Sequence, residues 1–419
     1  MIGAGRHSLI IGGGVVGIGC AHFLNKAGFR VTVIDKGKIG RGCSHGNCGF
    51  VCPSHVLPLA EPGAIRSTLK AMLKPGGAFR IRPRFDLSLW RWLFKFARRC
   101  NQTDMLQSAH AIQPLLASSM QLYEDLVECD GLDCEWQKRG LLFVYQSQKA
   151  FDAYEPVNDL LTSEFNEPAR RINGKELSEF EPALKDGLPG AWYFEHDAHL
   201  RPDRLLASWR SLLEKRGVRF VEDCQLLDLE AANDAVVSAR TSGESIEADS
   251  FVIATGAWTP QLARILRCRI PIEPGKGYSI TLPRPASCPR IPMLLPEHRV
   301  GVTPLETGMR LGSIMEFAGY DDRIRPKRLR LLTRGASHYL REPLPEQVQE
   351  KWFGWRPMTY DSTPVIGLCP AFSNVWLATG HNMLGLSMAP ATGRLVCELI
   401  TGVAPHVAPS PYSPNRFFG

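Results

Sequence analysis

The feature that most constrains this chain is its first turn. Ser8-Leu9-Ile10-Ile11 runs straight into Gly12-Gly13-Gly14-Val15-Val16-Gly17, and Val31-Thr32-Val33-Ile34 leads to Asp35. An apolar strand, a GxGxxG turn opening a helix, and a second strand ending in a carboxylate make one βαβ unit. Each part has a physical task. Gly12 permits the tight turn, Gly14 lets the backbone come close to a pyrophosphate, and Gly17 lets the helix pack on the strand. The helix start offers free N–H groups and the positive end of its dipole to phosphates. Asp35 can accept hydrogen bonds from both ribose hydroxyls, and its charge would repel a 2′-phosphate. The flanking strands, the spacing to Asp35 and the N-terminal position all point to dinucleotide binding rather than to a plain glycine-rich turn.

Length and charge narrow the class further. A chain of 419 residues can bury a large core and form two to three domains. The net charge of +7 is diffuse, with one basic cluster from Arg323 to Arg330. No aromatic residue lies inside that cluster, so it reads as a solvated helix start, and no nucleic-acid partner is expected. The 12 cysteines are scattered. Cys43, Cys48 and Cys52 have spacing that fits no usual zinc pair, so they read as small packing residues and no metal is expected. The first strand starts so early that no cleavable leader is expected, and reduced thiols in the cytoplasm follow. No apolar run reaches the roughly 18–20 residues that span a bilayer.

Along the chain, residues 85–99 read as a helix dense in aromatic and basic side chains. Two readings stay open there: a helix lying on a membrane surface, and an ordinary packed helix with arginines at its rim. Residues 104–129 read as amphipathic helix that Pro114 kinks or splits. Helices are expected at 147–162, 202–216, 327–339 and 387–401. Strands are expected at 140–145, 218–221 and 375–380, with a β-rich stretch between 270 and 320. The run Ser250 to Trp258 is a largely apolar strand meeting a glycine turn, as a central parallel strand delivering a loop to a ligand would. The proline-rich tail after Thr401 is expected to lie irregular on the surface.

Glycine turns recur at 46–49, 255–256, 354 and 380–385. FAD is long and must be gripped at both ends, so this distribution favours FAD over NAD. The chain resembles the D-amino-acid oxidase-like flavoproteins, and within them the D-amino-acid dehydrogenases. The resemblance rests on the N-terminal fingerprint, on Ser44-His45-Gly46-Asn47-Cys48-Gly49 with Pro58 to Gly63, and on Gly275-Lys276-Gly277-Tyr278-Ser279. It rests most on Gly354-Trp355-Arg356-Pro357-Met358-Thr359-Tyr360-Asp361-Ser362-Thr363-Pro364-Val365-Ile366-Gly367, and it is completed by Thr379 to Gly385.

That resemblance implies an α/β fold: a Rossmann-like FAD-binding domain with a second, α+β substrate domain on a mainly antiparallel sheet. The implied division is 1–80, 195–262 and 352–419 for FAD, and 81–194 and 263–351 for substrate. It also implies site roles. Ser44, Asn47 and Gly49 line the pyrophosphate and flavin, Leu226 presents its backbone to the adenine, and Thr255 and Gly256 pass near the phosphates. Gly380, His381, Leu384 and Gly385 surround the flavin ring, and Val15, Val16, Lys36 and Trp258 complete the cofactor set. The turn into helix 387–401 aims N–H groups at the flavin edge that gathers negative charge. Arg356 is the expected carboxylate anchor, because a guanidinium meets a carboxylate with two parallel hydrogen bonds. A buried ion pair with Asp361 is the other reading of Arg356. Tyr278 is either a second substrate anchor or a packed strand residue, and His381 either a flavin contact or a cap.

Two departures matter. Met383 stands where the related glycine oxidases carry arginine, which weakens glycine as substrate. Gly354 stands near the cysteine position, and His45 one place off the histidine position, through which some relatives attach flavin; non-covalent FAD is therefore expected. The activity implied is FAD-dependent oxidation of an amino acid, first of all a D-amino acid, to an imino acid, with electrons passed to quinone or a protein acceptor. Cyclic or secondary amines such as hydroxyproline, proline or sarcosine are the alternative substrates. A flavin-binding subunit without amine chemistry is the alternative of another class. The expected location is the cytoplasm, with peripheral contact at the inner face of the membrane if the first reading of helix 85–99 holds.

Overall fold

A computed structural model describes residues 3–66, 77 and 79–418. Residues 67–76 and 78, inside the first stretch expected to bind FAD, lie outside the described residues. The N-terminal unit forms as its sequence dictates. His7–Ile11 is buried at every position, as a central strand covered on both faces must be. It pairs in parallel with Arg30–Ile34 on one side and Ser250–Ile253 on the other. Val375–Thr379 continues the sheet in parallel beyond Ser250–Ile253, and Arg219–Val221 continues it beyond Arg30–Ile34. Val365–Leu368 closes one edge antiparallel, giving six strands. The helices Val15–Lys26 and Gly385–Thr401 cross closely on this sheet. Small residues allow it: a Cβ on Gly393 would lie 2.4 Å from the Gly19 carbonyl oxygen.

A second, larger sheet is mainly antiparallel. Its strands run in the order Glu350–Thr359, Ile272–Pro283, Gly308–Phe317, Val300–Pro304, Met293–Leu295, Leu141–Tyr145, Gly190–Phe194 and Arg170–Asn173. Phe79–Ile81 adds to Gly308–Phe317 in parallel. The chain therefore adopts a mixed α/β architecture that combines a largely parallel sheet with a mainly antiparallel one, and adds a three-stranded antiparallel sheet of Leu226–Ala232, Ala235–Thr241 and Ile246–Glu247 and the small pair Phe50–Val51 with Ala198–His199. Among the described residues no helix is long and apolar enough to cross a membrane.

Several local expectations are corrected. The stretch 147–162 is two helices, Gln148–Asp152 and Glu155–Phe165. The second starts with Pro156 in its first turn, where a missing N–H costs nothing. Gln102–Glu128 is one helix that continues through Pro114 without splitting, held by buried Ile112, Leu115 and Leu116 around the proline. The tail is not merely irregular. It forms the short turns Ser410–Tyr412 and Pro414–Phe417, the Tyr412 hydroxyl donates to Ala111 O at 2.8 Å, and Arg416 pairs with Asp361 at 2.8 Å.

The aromatic helix, Leu87–Arg99, divides by face. Leu89 and Trp92 are core residues, and the Trp92 indole donates to Met358 O at 3.1 Å. Phe85, Leu87, Trp90 and Phe94 are exposed beside Arg91, Lys95 and Arg98. The basic cluster is partly neutralised: Arg323 and Arg325, joined by Arg82 from outside it, converge on Asp321.

Candidate functional site

The parallel strands share one polarity, so their carboxyl ends open on one side. Residues at or just past four of those ends, Ile11-Gly12, Ile34-Asp35, Ala254-Thr255 and Ala378-Thr379, line a single cavity of about 930 Å³. This is where open α/β sheets take ligands. The volume lies toward the upper end of the roughly 300–1,000 Å³ typical of ligand sites. The antiparallel sheet supplies the opposite wall, with Tyr278, Gly277, Arg356 and Leu294.

The nucleotide end is built by the first turn. Gly12 has φ +112°, and a Cβ there would lie 2.4 Å from Ala254 O, so only glycine fits. At Gly14 the nearest atom to a Cβ is Ser44 Oγ at 3.4 Å, so its missing side chain leaves room in the cavity. The Asp35 carboxylate accepts from Gly13 N–H at 2.8 Å and Gly37 N–H at 2.9 Å, which fixes it at the cavity rim. Leu226, Thr255, Gly256, Val15, Val16, Lys36 and Trp258 also line the cavity. Lys36 Nζ lies 3.0 Å from the centroid of the Trp258 ring, and burial lowers its pKa. Trp258 in turn stacks on Tyr320 at 4.7 Å and meets Trp355 edge-on at 5.1 Å.

Loop 43–49 forms the middle of the site. Ser44 Oγ accepts the Val15 N–H at 3.0 Å, tying the loop to the helix start. The Asn47 side chain donates to Ser44 O and accepts from Gly49 N–H, so it shapes the loop. The deepest anchor is one that sequence reasoning missed. Arg310 is buried on the antiparallel sheet and donates to the carbonyls of His45 and Asn47 at 3.3 and 3.2 Å, with Glu350 at 3.2 Å and Asp203 at 3.4 Å. Replacing Arg310 with methionine is expected to destabilise the protein by about 2–3 kcal/mol, because it strands buried carbonyls and loosens a partly exposed ion cluster. Thermal melting and FAD titration of the apoprotein would show both a lower Tm and weaker cofactor binding.

Helix Gly385–Thr401 enters from the far side. Leu384, Gly385, Leu386 and Ser387 line the cavity, and no side chain caps the first N–H groups. Its positive end is thus open to negative charge. His381 lines the cavity too, but its Nε2 lies 2.9 Å from Thr392 Oγ1. Burial holds its pKa down to about 3, so it is neutral.

The remaining candidates divide. Gly17 and Gly380 do not line the cavity. A Cβ on Gly17 would collide with Gly12 O, so this glycine serves helix packing; Gly380 packs against Thr359 and Val365. Tyr278 lines the cavity, but its hydroxyl donates to Glu316 at 3.0 Å, so the expected free anchor is instead tied into the sheet. The ion pair weighed between Arg356 and Asp361 is absent, since Asp361 pairs with Arg416. Arg356 is half-buried and lines the cavity, and Nη1 donates to Ile314 O at 2.8 Å. Among the described residues it has no carboxylate partner. Burial lowers its pKa, yet a guanidinium remains protonated at neutral pH. The gap it occupies depends on Gly277, where a Cβ would lie 2.3 Å from Arg356 Nη1. His45, near the position that suggested a flavin linkage, is engaged by Glu350 at 2.6 Å. Cys43, Cys48, Trp352 and His55 line the cavity without having been singled out as site residues.

The arrangement is that of a site for a long, phosphate-bearing cofactor ending beside a cation open to an anionic ligand. Comparison with known proteins agrees. A family model described as FAD dependent oxidoreductase matches residues 7–399. A curated relative, D-amino acid dehydrogenase of Paramagnetospirillum magneticum, is 32% identical over 404 residues, covering 94% of each chain. Glycine oxidase from Geobacillus kaustophilus superposes with a TM-score of 0.79 at 22% identity, covering 99% of this chain and 100% of that one. L-Proline dehydrogenase from P. horikoshii does so with 0.72 at 21%, covering 99% and 98%. The two structural likenesses show the fold.

Proposed function

Because the chain belongs to the family of FAD-dependent oxidoreductases, we propose that it is an amino acid dehydrogenase that oxidises the Cα–N bond of a D-amino acid. FAD, when bound, supplies the hydride acceptor. The residues suited to hold it are Asp35 and Leu226 at the nucleotide end, Gly12, Gly14 and Ser44 at the phosphates, and Leu384 and Gly385 at the ring. Neither His45 nor Gly354 offers a free nucleophile, so the cofactor is held without a covalent bond.

One observation carries the substrate reading: a charged guanidinium lining the cavity with no carboxylate partner among the described residues. Arg356 holds the substrate carboxylate through a paired hydrogen bond and so fixes which face of Cα is presented. The start of helix Gly385–Thr401 favours negative charge at the opposite wall. No side chain is needed as base if the substrate amine arrives neutral, because its lone pair drives the departure of hydride. The imino acid product is then hydrolysed by water.

The test is anaerobic mixing of purified yellow protein with single D- and L-amino acids, hydroxyprolines, proline and sarcosine. A D-amino acid should bleach the flavin absorbance fastest. Fastest bleaching by a cyclic or secondary amine would move the assignment to that class. No bleaching by any of them would leave a flavin-binding subunit without amine chemistry.

The acceptor belongs to the same proposal. Phe85, Leu87, Trp90 and Phe94 stand exposed beside Arg91, Lys95 and Arg98, a pairing of apolar and basic groups suited to an anionic membrane surface and a quinone within it. Peroxide formation should be far slower than dye reduction. Replacing Trp90 and Phe94 with serine should release the protein from anionic vesicles while its activity toward a soluble dye persists. Trp92 is unsuited to this test because it is a core residue.

A further inference from the structure

Beyond Arg356, the cavity is lined by His55, a hydrogen-bonding side chain whose direction can be worked out. His55 follows the strand Phe50–Val51, lines the cavity, and meets Phe143 edge-on at 5.7 Å. Behind it lies Asp197, 1% exposed. Asp197 accepts from Ser54 Oγ at 2.6 Å and from Ser54 N–H at 3.2 Å. The hydroxyl proton of Ser54 is thereby committed to Asp197. His55 Nδ1 lies 3.4 Å from Ser54 Oγ, and the bond between them can form only if Nδ1 carries the proton. Nε2 then carries a lone pair. It has no hydrogen-bond partner among the described residues, and it is not one of the buried polar atoms sealed from solvent.

The sheet fixes where this acceptor lies relative to Arg356. The guanidinium reaches Ile314 on the strand Gly308–Phe317. Phe143, under His55, is three strands further on, across Val300–Pro304 and Met293–Leu295, or roughly 14 Å between backbones. Both side chains reach inward from these positions. Cys48, Phe50 and Leu294 line the cavity, and Cys48 and Phe50 lie against Gly301 on the intervening strand Val300–Pro304.

We infer that His55 is a specificity residue: its Nε2 accepts a hydrogen bond from a donor on the substrate's side chain, so that amino acids bearing a hydroxyl or amide N–H are preferred to apolar isosteres. Burial keeps His55 neutral, with a pKa near 4, which suits an acceptor. Burial also raises Asp197 to about 7, so the relay is set with Asp197 ionised in weakly alkaline solution. The inference rests on the amino acid reading above.

The experiment compares matched pairs, threonine with valine and serine with 2-aminobutyrate, in whichever enantiomer is turned over, at pH 8.5. In the wild-type holoenzyme the hydroxylated member should have a kcat/KM on the order of 10-fold higher or more. His55→Phe should lower the hydroxylated member by about 10-fold and leave the methyl member within about 3-fold. His55→Gln, which keeps an acceptor, should restore part of the preference, and Ser54→Ala should weaken it with FAD retained. Equal efficiencies within the wild-type pairs would overturn the inference. So would His55→Phe lowering both members by one factor, since His55 would then act on the part all amino acids share. Cys52, His55 and Asp197 also bring ligand atoms within 4.8 Å of one another. One equivalent of Zn²⁺ retained through dialysis, and lost in Cys52→Ser, would make His55 a metal ligand and overturn it as well. Absence of turnover with every amino acid marks failure of the functional reading instead.

Discussion

Arg356→Ala is expected to cost about 2–4 kcal/mol of transition-state binding, or roughly 30- to 1000-fold in kcat/KM, while the protein keeps its FAD. The loss is that of a charge-assisted bidentate bond to the substrate carboxylate. Stability should move the other way. Arg356 donates to Ile314 O and, at 4.0 Å, to Met315 Sδ, and has no carboxylate partner among the described residues, so its removal relieves a half-buried charge and breaks no ion pair. The melting temperature should therefore hold or rise, as is common where a group serves function at the expense of stability. Arg356→Lys should recover only part of the activity, because an ammonium lacks the planar fork. Steady-state kinetics with the best substrate and a thermal melt decide the matter. Normal turnover by the alanine variant would place the carboxylate elsewhere.

Gly277→Ala is expected to reproduce much of that loss without touching the arginine. Gly277 sits on the strand next to Arg356, opposite Gly354, and the guanidinium lies across its bare Cα. A methyl group there would stand 2.3–2.6 Å from Nη1, Cζ and Nη2. The guanidinium is the far end of a long side chain and can swing aside, so the fold should survive. It would then no longer meet the carboxylate squarely. A misplacement of about 1 Å at a reacting centre costs on the order of 100-fold, so a drop of roughly 10- to 100-fold in kcat/KM is expected. FAD content and Tm should stay near wild type. A variant that loses FAD along with activity would mean that Gly277 serves packing alone.

The parts of this site that lie close together in sequence were legible there. Gly12 to Asp35 is a local unit with its own turn chemistry, and it forms as read. That Arg356 would line the cavity was legible because its flanking motif is contiguous. What escaped depends on contacts between distant segments. Nothing near residue 310 signals that its guanidinium reaches the carbonyls of His45 and Asn47. Nothing near residue 278 signals that Glu316, three positions beyond its partner Ser313 and past a register shift on the neighbouring strand, will take the tyrosine hydroxyl. The pairing of Asp361 with Arg416 was equally hidden, and it removed the strongest competitor for Arg356. The helix Leu87–Arg99 shows a milder case. Its periodicity was plain, but which aromatic residues face the core is set by Met358 and Phe317 from elsewhere in the chain.

The order of strands in the parallel sheet has a consequence for how the protein is made. His7–Ile11 has Arg30–Ile34 as an early neighbour, but its other neighbour, Ser250–Ile253, leaves the ribosome some 240 residues later. Val375–Thr379, which flanks that strand, emerges roughly 120 residues later still. Until then the most apolar strands of the chain have an unpaired edge, and such pairings over long sequence separations form slowly. A nascent chain stalled before residue 375 should therefore be captured by chaperones or degraded rather than stored as a half-folded domain. The dinucleotide fingerprint is translated hundreds of residues before the strands that complete its sheet.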